Sequence, residues 1–506
     1  MRATHYLNDY LQKLAGKKAN PAATAYYASL DQISTVAPEV ARGIVQELRD
    51  QRRNLKLIAS ENYSSLATQL AMGNLLTDKY AEGYPNHRFY AGCDNVDEIE
   101  ARACELAKEL FGADHAYVQP HSGADANMVA YIAILLARVQ TPELEKIKEA
   151  NPSKLSQPEW ETVRKAMHSQ KLLALDYYSG GHLTHGYRHN FSAHLFDAYS
   201  YSVDQKTGLL DMENIGKLVR EIKPLILLAG YSAYPRAINF KEMRALADEV
   251  GAVFMVDMAH FAGLVAGQVF TGDFNPVAHA HVVTTTTHKT LRGPRGGMVL
   301  CNTEFAEWVD KGCPAILGGP LPHVMAAKAV AFTEALKPEF KDYAAKVVAN
   351  SKTFAQACID LGIPVATGGT DNHLFLVDVD KGFGLTGRQA ETALRECGIT
   401  LNRNSLPFDA NGPWYTSGLR LGTAATTTLG MGAAEMKEIA AILYLVLSNI
   451  KPAIIAEGKN QGQASKANYV LDPAVQAQAQ ARAHALLGRF VLYPELDLDF
   501  LLAGIK

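Results

Sequence analysis

The sequence predicts an α/β protein: a mostly parallel central sheet flanked by helices, followed by a smaller α+β C-terminal domain. Three observations predict it. The segments "KPLILLAG" (223–230), "AVFMVDMAH" (252–260), "HVVTTTT" (281–287) and "GMVLCN" (297–302) are almost continuously apolar or β-branched, as strands covered on both faces are. Between two of them stands a helix-period stretch, "NFKEMRALADEVG" (239–251), which reads as a crossover. The composition, 48% hydrophobic and 20% charged over 506 residues, is that of a globular chain long enough for two or three domains.

Taken in order, the first elements form an arm with helices over residues 1–75. Its start, "MRATHYLNDYLQKLAGKK", lacks an apolar core and a small-residue cleavage site, which argues against a signal peptide. Weak amphipathicity leaves a transit peptide as the alternative. A large domain spans 76–337. There "VDEIEARACELAKELFG" (96–112) has helical period and closes on Gly112, a good C′ residue. "AYVQPHSGADANMVAYIAILLARV" (116–139) passes from a short strand through a turn into a helix. The charged, proline-punctuated stretch at about 137–170 reads as an insertion with two helices. Near Pro338, after "AVAFTEALKPEF", the chain enters a small C-terminal domain, 338–506. Within it the polar stretch 455–480 reads as a second insertion, a loop or exposed helix.

Several function classes are disfavoured. Lys plus Arg number 49 against 52 Asp plus Glu, a net charge of −3, so no basic surface invites nucleic acid. No apolar run approaches the ~18 residues of a membrane span. Six cysteines without a C-x-x-C pair point to reduced thiols in a cytoplasmic protein. The histidines lack H-E-x-x-H spacing, so no metal is expected.

Four features suit a phosphate-bearing aldehyde. "PHSGADAN" (120–127) offers Ser122, Gly123 and a helix N-terminus, an anion site if the turn is more than a common S-G turn. "FMVDMAH" sets Asp257 at a strand's carboxyl end, where an acid needs a cationic partner, with His260 three residues on. A protonated pyridine nitrogen would suit Asp257 and a ring hydroxyl His260; a helix cap or a core salt bridge is the alternative. Lys289 leaves the threonine strand one β-α-β unit later, where desolvation and cationic neighbours such as His288 or Arg295 would favour the neutral amine a Schiff base needs. Arg420, in "TSGLRLGT", could fork a carboxylate or belong to a structural ion pair. Phosphate turn, Asp, Lys and Arg come in the chain order of pyridoxal phosphate catalysis.

At these residues the chain resembles serine hydroxymethyltransferase, a fold-type-I pyridoxal-phosphate-dependent transferase. The matching stretches include "LIASENYSS" (57–65), "KYAEGYPNHRFYAGCDNVDEIE" (79–100), "LFGADHAYVQPHSGADAN" (110–127), "GGHLTHG" (180–186), "HAHVVTTTTHKTLRGPRGG" (279–297), "GGTDNHLFLVD" (368–378) and "NRNSLPF" (402–408), in order across roughly 50–450. The resemblance implies reversible conversion of serine and tetrahydrofolate to glycine and 5,10-methylenetetrahydrofolate, with pyridoxal 5′-phosphate as cofactor and tetrahydrofolate as cosubstrate. It implies that Lys289 binds the cofactor's aldehyde, with Thr286 in the same catalytic group, and that Asp257 meets the pyridine nitrogen. His182 would stack on the ring, with His260 and Ser232 near its hydroxyl. Ser122 and Gly123 would hold the phosphate, joined by Tyr80, Gly318 and Gly319 across a dimer interface. Arg420 and Ser60 would bind the substrate carboxylate. Glu82 of the partner chain would handle proton transfer at the hydroxymethyl group, with Tyr90 lining the same site. Leu183, Gly181 and Asn404 would touch folate. A homodimer with shared active sites follows, or a tetramer of paired dimers.

Departures from that pattern bear on folate. Ala124 stands where a second phosphate-binding serine is common, "CPAILGGP" (313–320) is less glycine-rich than expected, and "DYYSGGH" puts Tyr177 beside the folate pocket. Folate-independent aldol cleavage or alanine racemisation is therefore a secondary expectation. A folate-independent aldolase or racemase is the rival enzyme; "GGHLTHG" and "NRNSLPF" count against it. A non-catalytic protein on a retired enzyme fold is the rival of another class; joint retention of Lys289, Asp257, Arg420 and Glu82 counts against that.

Overall fold

A computed structural model describes residues 5–504. Its centre is a seven-stranded mixed sheet of β1 (His115–Tyr117), β2 (Lys171–Leu175), β3 (Asp197–Tyr201), β4 (Ile226–Gly230), β5 (Val253–Asp257), β6 (Val282–Thr286) and β7 (Gly297–Cys301). The spatial order is β1-β7-β6-β5-β4-β2-β3, and only β7 runs against its neighbours. Every residue of β4 to β7 is buried. Alternation shows why these strands read as continuous apolar runs: Phe254 and Val256 join the core on one face, Val253 and Met255 the core on the other. β3, an edge strand with several exposed residues, has no such run and no apolar signature in the sequence.

The four threonines after Val283 satisfy two demands at once. Their β-branched carbons suit a strand, and their hydroxyls donate inside a dry core. Thr284 Oγ1 donates to Asn127 Oδ1 (2.5 Å), Thr286 Oγ1 to the Ala259 carbonyl (3.2 Å) and Thr287 Oγ1 to the Pro294 carbonyl (2.6 Å). The turn beyond them closes on itself, Gly293 N–H donating to the Thr287 carbonyl at 2.7 Å. The segment carrying Lys289 is thereby pinned on both sides.

A second core surrounds a small antiparallel sheet of β8 (Leu374–Asp378), β9 (Asn402–Asn404) and β10 (Gly418–Gly422), ordered β8-β10-β9. The 23-residue helix Pro338–Asp360 and the helices Gly387–Glu396, Ala433–Leu447 and Pro473–Arg489 pack around it. Residues Leu55–Lys56 also belong here, paired in parallel with Ile399–Thr400.

The N-terminal helices Tyr6–Lys13, Pro21–Val36 and Pro38–Arg53 form a third cluster with the C-terminal residues Leu492, Leu496 and Leu501. Arg52 locks the two ends together, donating to the carbonyls of Leu492, Tyr493 and Leu496 at 2.6–2.8 Å. In the stretch 137–170 the expected two helices are Thr141–Ile147 and Gln157–His168, and a π-helical turn at Leu136–Gln140 joins the first to the preceding helix. The stretch 455–480 differs from a plain loop or helix. Lys451–Ile454 and Ala464–Val470 form a hairpin, and a helix starts at Pro473. Its polar residues conceal the strand because the hairpin is held through backbone carbonyls: Gln389 Nε2 donates to those of Ser465 (2.7 Å) and Asn468 (2.8 Å). Among the described residues no helix is long and apolar enough to cross a membrane, and no cysteine is in a disulfide.

Candidate active site

The carboxyl ends of β4, β5 and β6 point the same way, and β1 shares their sense because both β1 and β6 run against β7. Chain segments leaving these ends, and the small sheet beyond, enclose two adjoining cavities of about 420 Å³ each. One is bounded by Ser122, Gly123, Asp257 and Thr286; the other by Tyr177, Gly181, Leu183, Asn404 and Arg420. Ser60, His182, Ser232, His260 and Lys289 line both. The structure thus brings together most of the residues singled out in the sequence.

Asp257 ends β5 with both carboxylate oxygens hydrogen-bonded and acceptor capacity left on Oδ1. Oδ2 accepts from Asn127 Nδ2 (2.9 Å) and His185 Nε2 (3.1 Å), and Oδ1 from Ala259 N–H (3.0 Å). Burial alone would raise its pKa, but the bond and charge of His185, with His182 and Asn127, hold it well below the usual carboxylate range. The tautomers follow from the partners. His185 Nδ1 accepts from the His182 backbone N–H (3.2 Å), so Nε2 carries the proton given to Asp257. His182 Nδ1 accepts from the Thr184 N–H (3.2 Å), and burial chiefly, then the charge of His185, brings its pKa down to about 4. A neutral ring results. The donor atoms of His182, His185 and Asp257 gather within 4.8 Å, yet His182 Nδ1, both nitrogens of His185 and both Asp257 oxygens already have protein partners.

Asn127 and His185 do not stand out as site residues in the sequence. The available signal is a polar Asn one turn into a helix that is apolar from there on, Gly123–Leu135, and the second histidine of "GGHLTHG". His373 is equally inconspicuous there. Its Nε2 lies 3.2 Å from His260 Nδ1, and burial draws both histidines' pKa down, His373 to about 3.

Lys289 lies on the floor of the cavities, open to them but otherwise surrounded by protein. Desolvation lowers its pKa to about 8; Asp257 opposes the shift, and Arg420 and Arg295 reinforce it. Arg420 stands in mid-β10, opposite Leu376 and Asn402. Its Nε donates to Asn402 Oδ1 (3.0 Å) and a terminal nitrogen to the Ser232 carbonyl (2.6 Å). Burial lowers its pKa to about 10, which still leaves it a cation. Among the described residues no carboxylate pairs with it, so the structural ion pair is excluded.

Ser122 caps the helix Gly123–Leu135, its Oγ accepting from Asp125 N–H (3.1 Å). The N–H groups of Gly123 and Ala124 have no carbonyl a turn earlier to bond and border the first cavity. A Cβ on Gly123 would meet Thr286 Cγ2 at 2.7 Å, so only glycine lets the turn sit this close to β6. Buried His288 Nδ1, at the same cavity, has no hydrogen-bond partner among the described residues. An anion cradle, an ionised acid, a partly neutral lysine and a buried free guanidinium form a donor set that fits a phosphate-bearing pyridine aldehyde with an amino acid beside it.

Five expected residues lie elsewhere in the same chain. Tyr80 and Tyr90 are 53% and 51% exposed, with rings edge-on at 4.9 Å. Tyr80 also packs on Gly319, where a Cβ would come within 2.9 Å of its ring, and Glu82 raises the pKa of its phenol. Cys313 Sγ, linked to Gly83 N–H (3.1 Å) and the Gly318 carbonyl (2.9 Å), ties the two loops together. Arg88 donates to the carbonyls of Ala81 and Gly83 at 2.9 Å, on either side of Glu82. This group forms a well-built surface that does not line its own chain's cavities.

The profile of the serine hydroxymethyltransferase family matches residues 33–144 and 153–443. The break, residues 145–152, takes in the end of the helix Thr141–Ile147 and part of the connection to Gln157–His168, within the stretch read as an insertion. A protein named serine hydroxymethyltransferase from Treponema pallidum is 58% identical over 497 residues, 98% of this chain and 86% of its own. Those of Salinispora tropica and Mycolicibacterium smegmatis are 56% and 55% identical, each over 95% of this chain and 99% and 96% of theirs.

Buried neutral histidines set an acid limit on stability. Burial is the main cause that lowers His182 to about pKa 4 and His288 and His373 to about 3, against ~6.5 in an unfolded chain. Between about pH 6.5 and 4 the unfolded chain therefore binds more protons. Their contribution is complete above about pH 6.5 and is lost as pH falls. Thermal midpoints of the apoprotein should drop steadily across that window; a flat or rising midpoint would contradict it.

Proposed function

Since this chain belongs to the serine hydroxymethyltransferase family, we propose that the two adjoining cavities are where it converts L-serine and tetrahydrofolate to glycine and 5,10-methylenetetrahydrofolate, reversibly and with pyridoxal 5′-phosphate. It is a pyridoxal-phosphate-dependent glycine hydroxymethyltransferase of one-carbon and glycine metabolism. The observation that carries the assignment of this cleft is Arg420, a buried guanidinium without an acidic partner among the described residues, sharing a cavity with Lys289.

Ser122 and Gly123 would hold the phosphate, Lys289 the aldehyde carbon and Asp257 the ring nitrogen, with His182 against the ring and His260 and Ser232 near its hydroxyl. When bound, the cofactor supplies a conjugated ring that withdraws electrons from bonds at the substrate's α-carbon. The rest is done by side chains. Asp257, kept ionised, holds a proton on the ring nitrogen; each pKa unit of that bias is worth about 1.4 kcal/mol. Arg420, its Nε fixed by Asn402, forks the substrate carboxylate with Ser60 close by and orients the α-carbon. Lys289 Nζ, with a pKa near 8, can take or release a proton at neutral pH. Thr286 keeps the floor of the cavity in place through the Ala259 carbonyl. Tyr177, Gly181, Leu183 and Asn404 offer folate a wall of mixed polarity.

The group of exposed Tyr80 and Tyr90 with half-buried Glu82, Gly318 and Gly319 suits a homodimer in which each chain completes the other's site, Glu82 serving proton transfer at the hydroxymethyl oxygen and Tyr90 lining the cavity. Exposed Leu75 and Phe89 nearby favour a covered surface. Residues 1–75, 76–337 and 338–506 are proposed as arm, cofactor-binding domain and small domain. A cytoplasmic location fits six cysteines without a disulfide.

The reading is tested by tetrahydrofolate-dependent formation of glycine from serine, compared with Arg420→Lys. A lysine cannot fork a carboxylate, and losing one charge-assisted bond costs about 1.5–3 kcal/mol, so the KM for serine should rise tenfold or more. Unchanged KM, or no folate-dependent turnover by cofactor-saturated protein, contradicts it. For the shared site, mixing inactive Lys289→Ala with inactive Glu82→Ala chains should restore activity, because one site of each heterodimer has both groups. Verified heterodimers that stay inactive would contradict it.

A further inference from the structure

Behind the Ser122–Gly123 turn lies a second buried lysine that the reaction as described does not use. Lys328, on the helix Pro322–Ala335, is 1% exposed. Its Nζ donates to the carbonyls of Val118 (2.5 Å), Pro120 (3.1 Å) and Gly297 (2.8 Å), all neutral acceptors. Val118 and Pro120 follow β1 and lead straight into His121, Ser122 and Gly123. Gly297 opens β7, donates to the Pro120 carbonyl (2.9 Å), and lies so near that a Cβ on it would stand 2.2 Å from the Ser122 carbonyl oxygen. One ammonium therefore ties together the backbone carbonyls directly behind the turn that faces the anion cradle.

A buried cation needs compensation, or it costs several kcal/mol. Among the described residues no carboxylate pairs with Lys328. The acid facing it from the helix Asp94–Phe111 is Glu100, already committed to Arg88 (2.5 Å) and Gln119 (2.7 Å). From the same helix Cys104 faces it with a thiol whose pKa burial raises, so it stays uncharged. From the Lys289 segment His288, held neutral by burial and by Arg295, adds no negative charge. The charge behind the turn is left to be matched by an anion on the turn's cavity side.

We propose that Lys328 is a positioning residue for the cofactor's phosphate: its ammonium fixes the Ser122–Gly123 turn and supplies the buried positive charge that a phosphate in that turn balances. The proposal rests on the reading that this cavity takes pyridoxal 5′-phosphate. Burial lowers the lysine's pKa to about 7, so an anion bound at the turn should draw a proton onto Nζ near neutral pH.

The test compares binding of pyridoxal 5′-phosphate and of pyridoxal, which lacks the phosphate, to apoprotein of wild type, Lys328→Met and Lys328→Arg. Lys328→Met should weaken pyridoxal 5′-phosphate by about tenfold, the ~1.4 kcal/mol of one pKa unit of charge interaction, and pyridoxal much less; Lys328→Arg should recover part of the loss. Equal losses for the two ligands would overturn the proposal and leave a packing role. If Lys328→Met does not fold, Lys328→Arg decides: it should hold pyridoxal 5′-phosphate less tightly than wild type does while pyridoxal changes less, and equal changes for the two ligands would overturn the proposal. Wild type that binds pyridoxal but gains nothing from the phosphate overturns it too, while wild type that binds neither overturns the cofactor reading itself.

Discussion

Positive charge buried without acids is the constraint on which this site depends. Lys289 and Arg420 border the same cavity, and neither forms an ion pair among the described residues. Neutral oxygens hold Arg420 instead: Asn402 Oδ1 and the Ser232 carbonyl. Desolvation therefore outweighs the opposing charge of Asp257, and it lowers Lys289 to about 8 and Arg420 to about 10. The buried acid lining the cleft, Asp257, forms no ion pair with either; Asn127, His185 and a backbone N–H hold its carboxylate in place. A cleft so built attracts anions, and the phosphate and carboxylates of the ligands proposed for it are anions.

Such an arrangement requires a stiff surround. The sheet supplies it where three strands end side by side, and the threonines of β6 extend the stiffness past the strand. Thr284 reaches Asn127, Thr286 reaches the Ala259 carbonyl and Thr290 reaches the His260 carbonyl (2.9 Å), so the segments bearing Asp257, His260 and Lys289 are mutually bonded. Arg420 bridges the second core to the loop after β4 through Ser232. Arg420 thus lies on one core and Asp257, His260 and Lys289 on the other, with the cleft between them.

Much of this was legible in the sequence for a physical reason. Strands buried on both faces must be apolar throughout, so β4 to β7 announce themselves, and a lysine or aspartate ending such a strand stands out. Gly123 and Arg420 are marked by their local motifs. What escaped was polar or distant. Asn127 and His185 act on Asp257 from other segments, and no spacing along the chain reveals such a contact. The hairpin Lys451–Val470 is fastened by Gln389 through backbone carbonyls, which leave no side-chain pattern. The embrace of the first helices by Leu492, Leu496 and Leu501 joins the two ends of the chain. Tyr80, Glu82 and Tyr90, read from motif resemblance alone, lie on a surface whose purpose one chain by itself does not display.

The central claim is that Lys289, desolvated at the end of the threonine strand, is the group that holds the aldehyde. Borohydride reduction of the protein loaded with pyridoxal 5′-phosphate, followed by peptide mapping, tests it most directly. The expected result is a single labelled peptide with the label on Lys289, and no label on Lys328 or on any other lysine. A label on another lysine, or none on a cofactor-saturated protein, would contradict it.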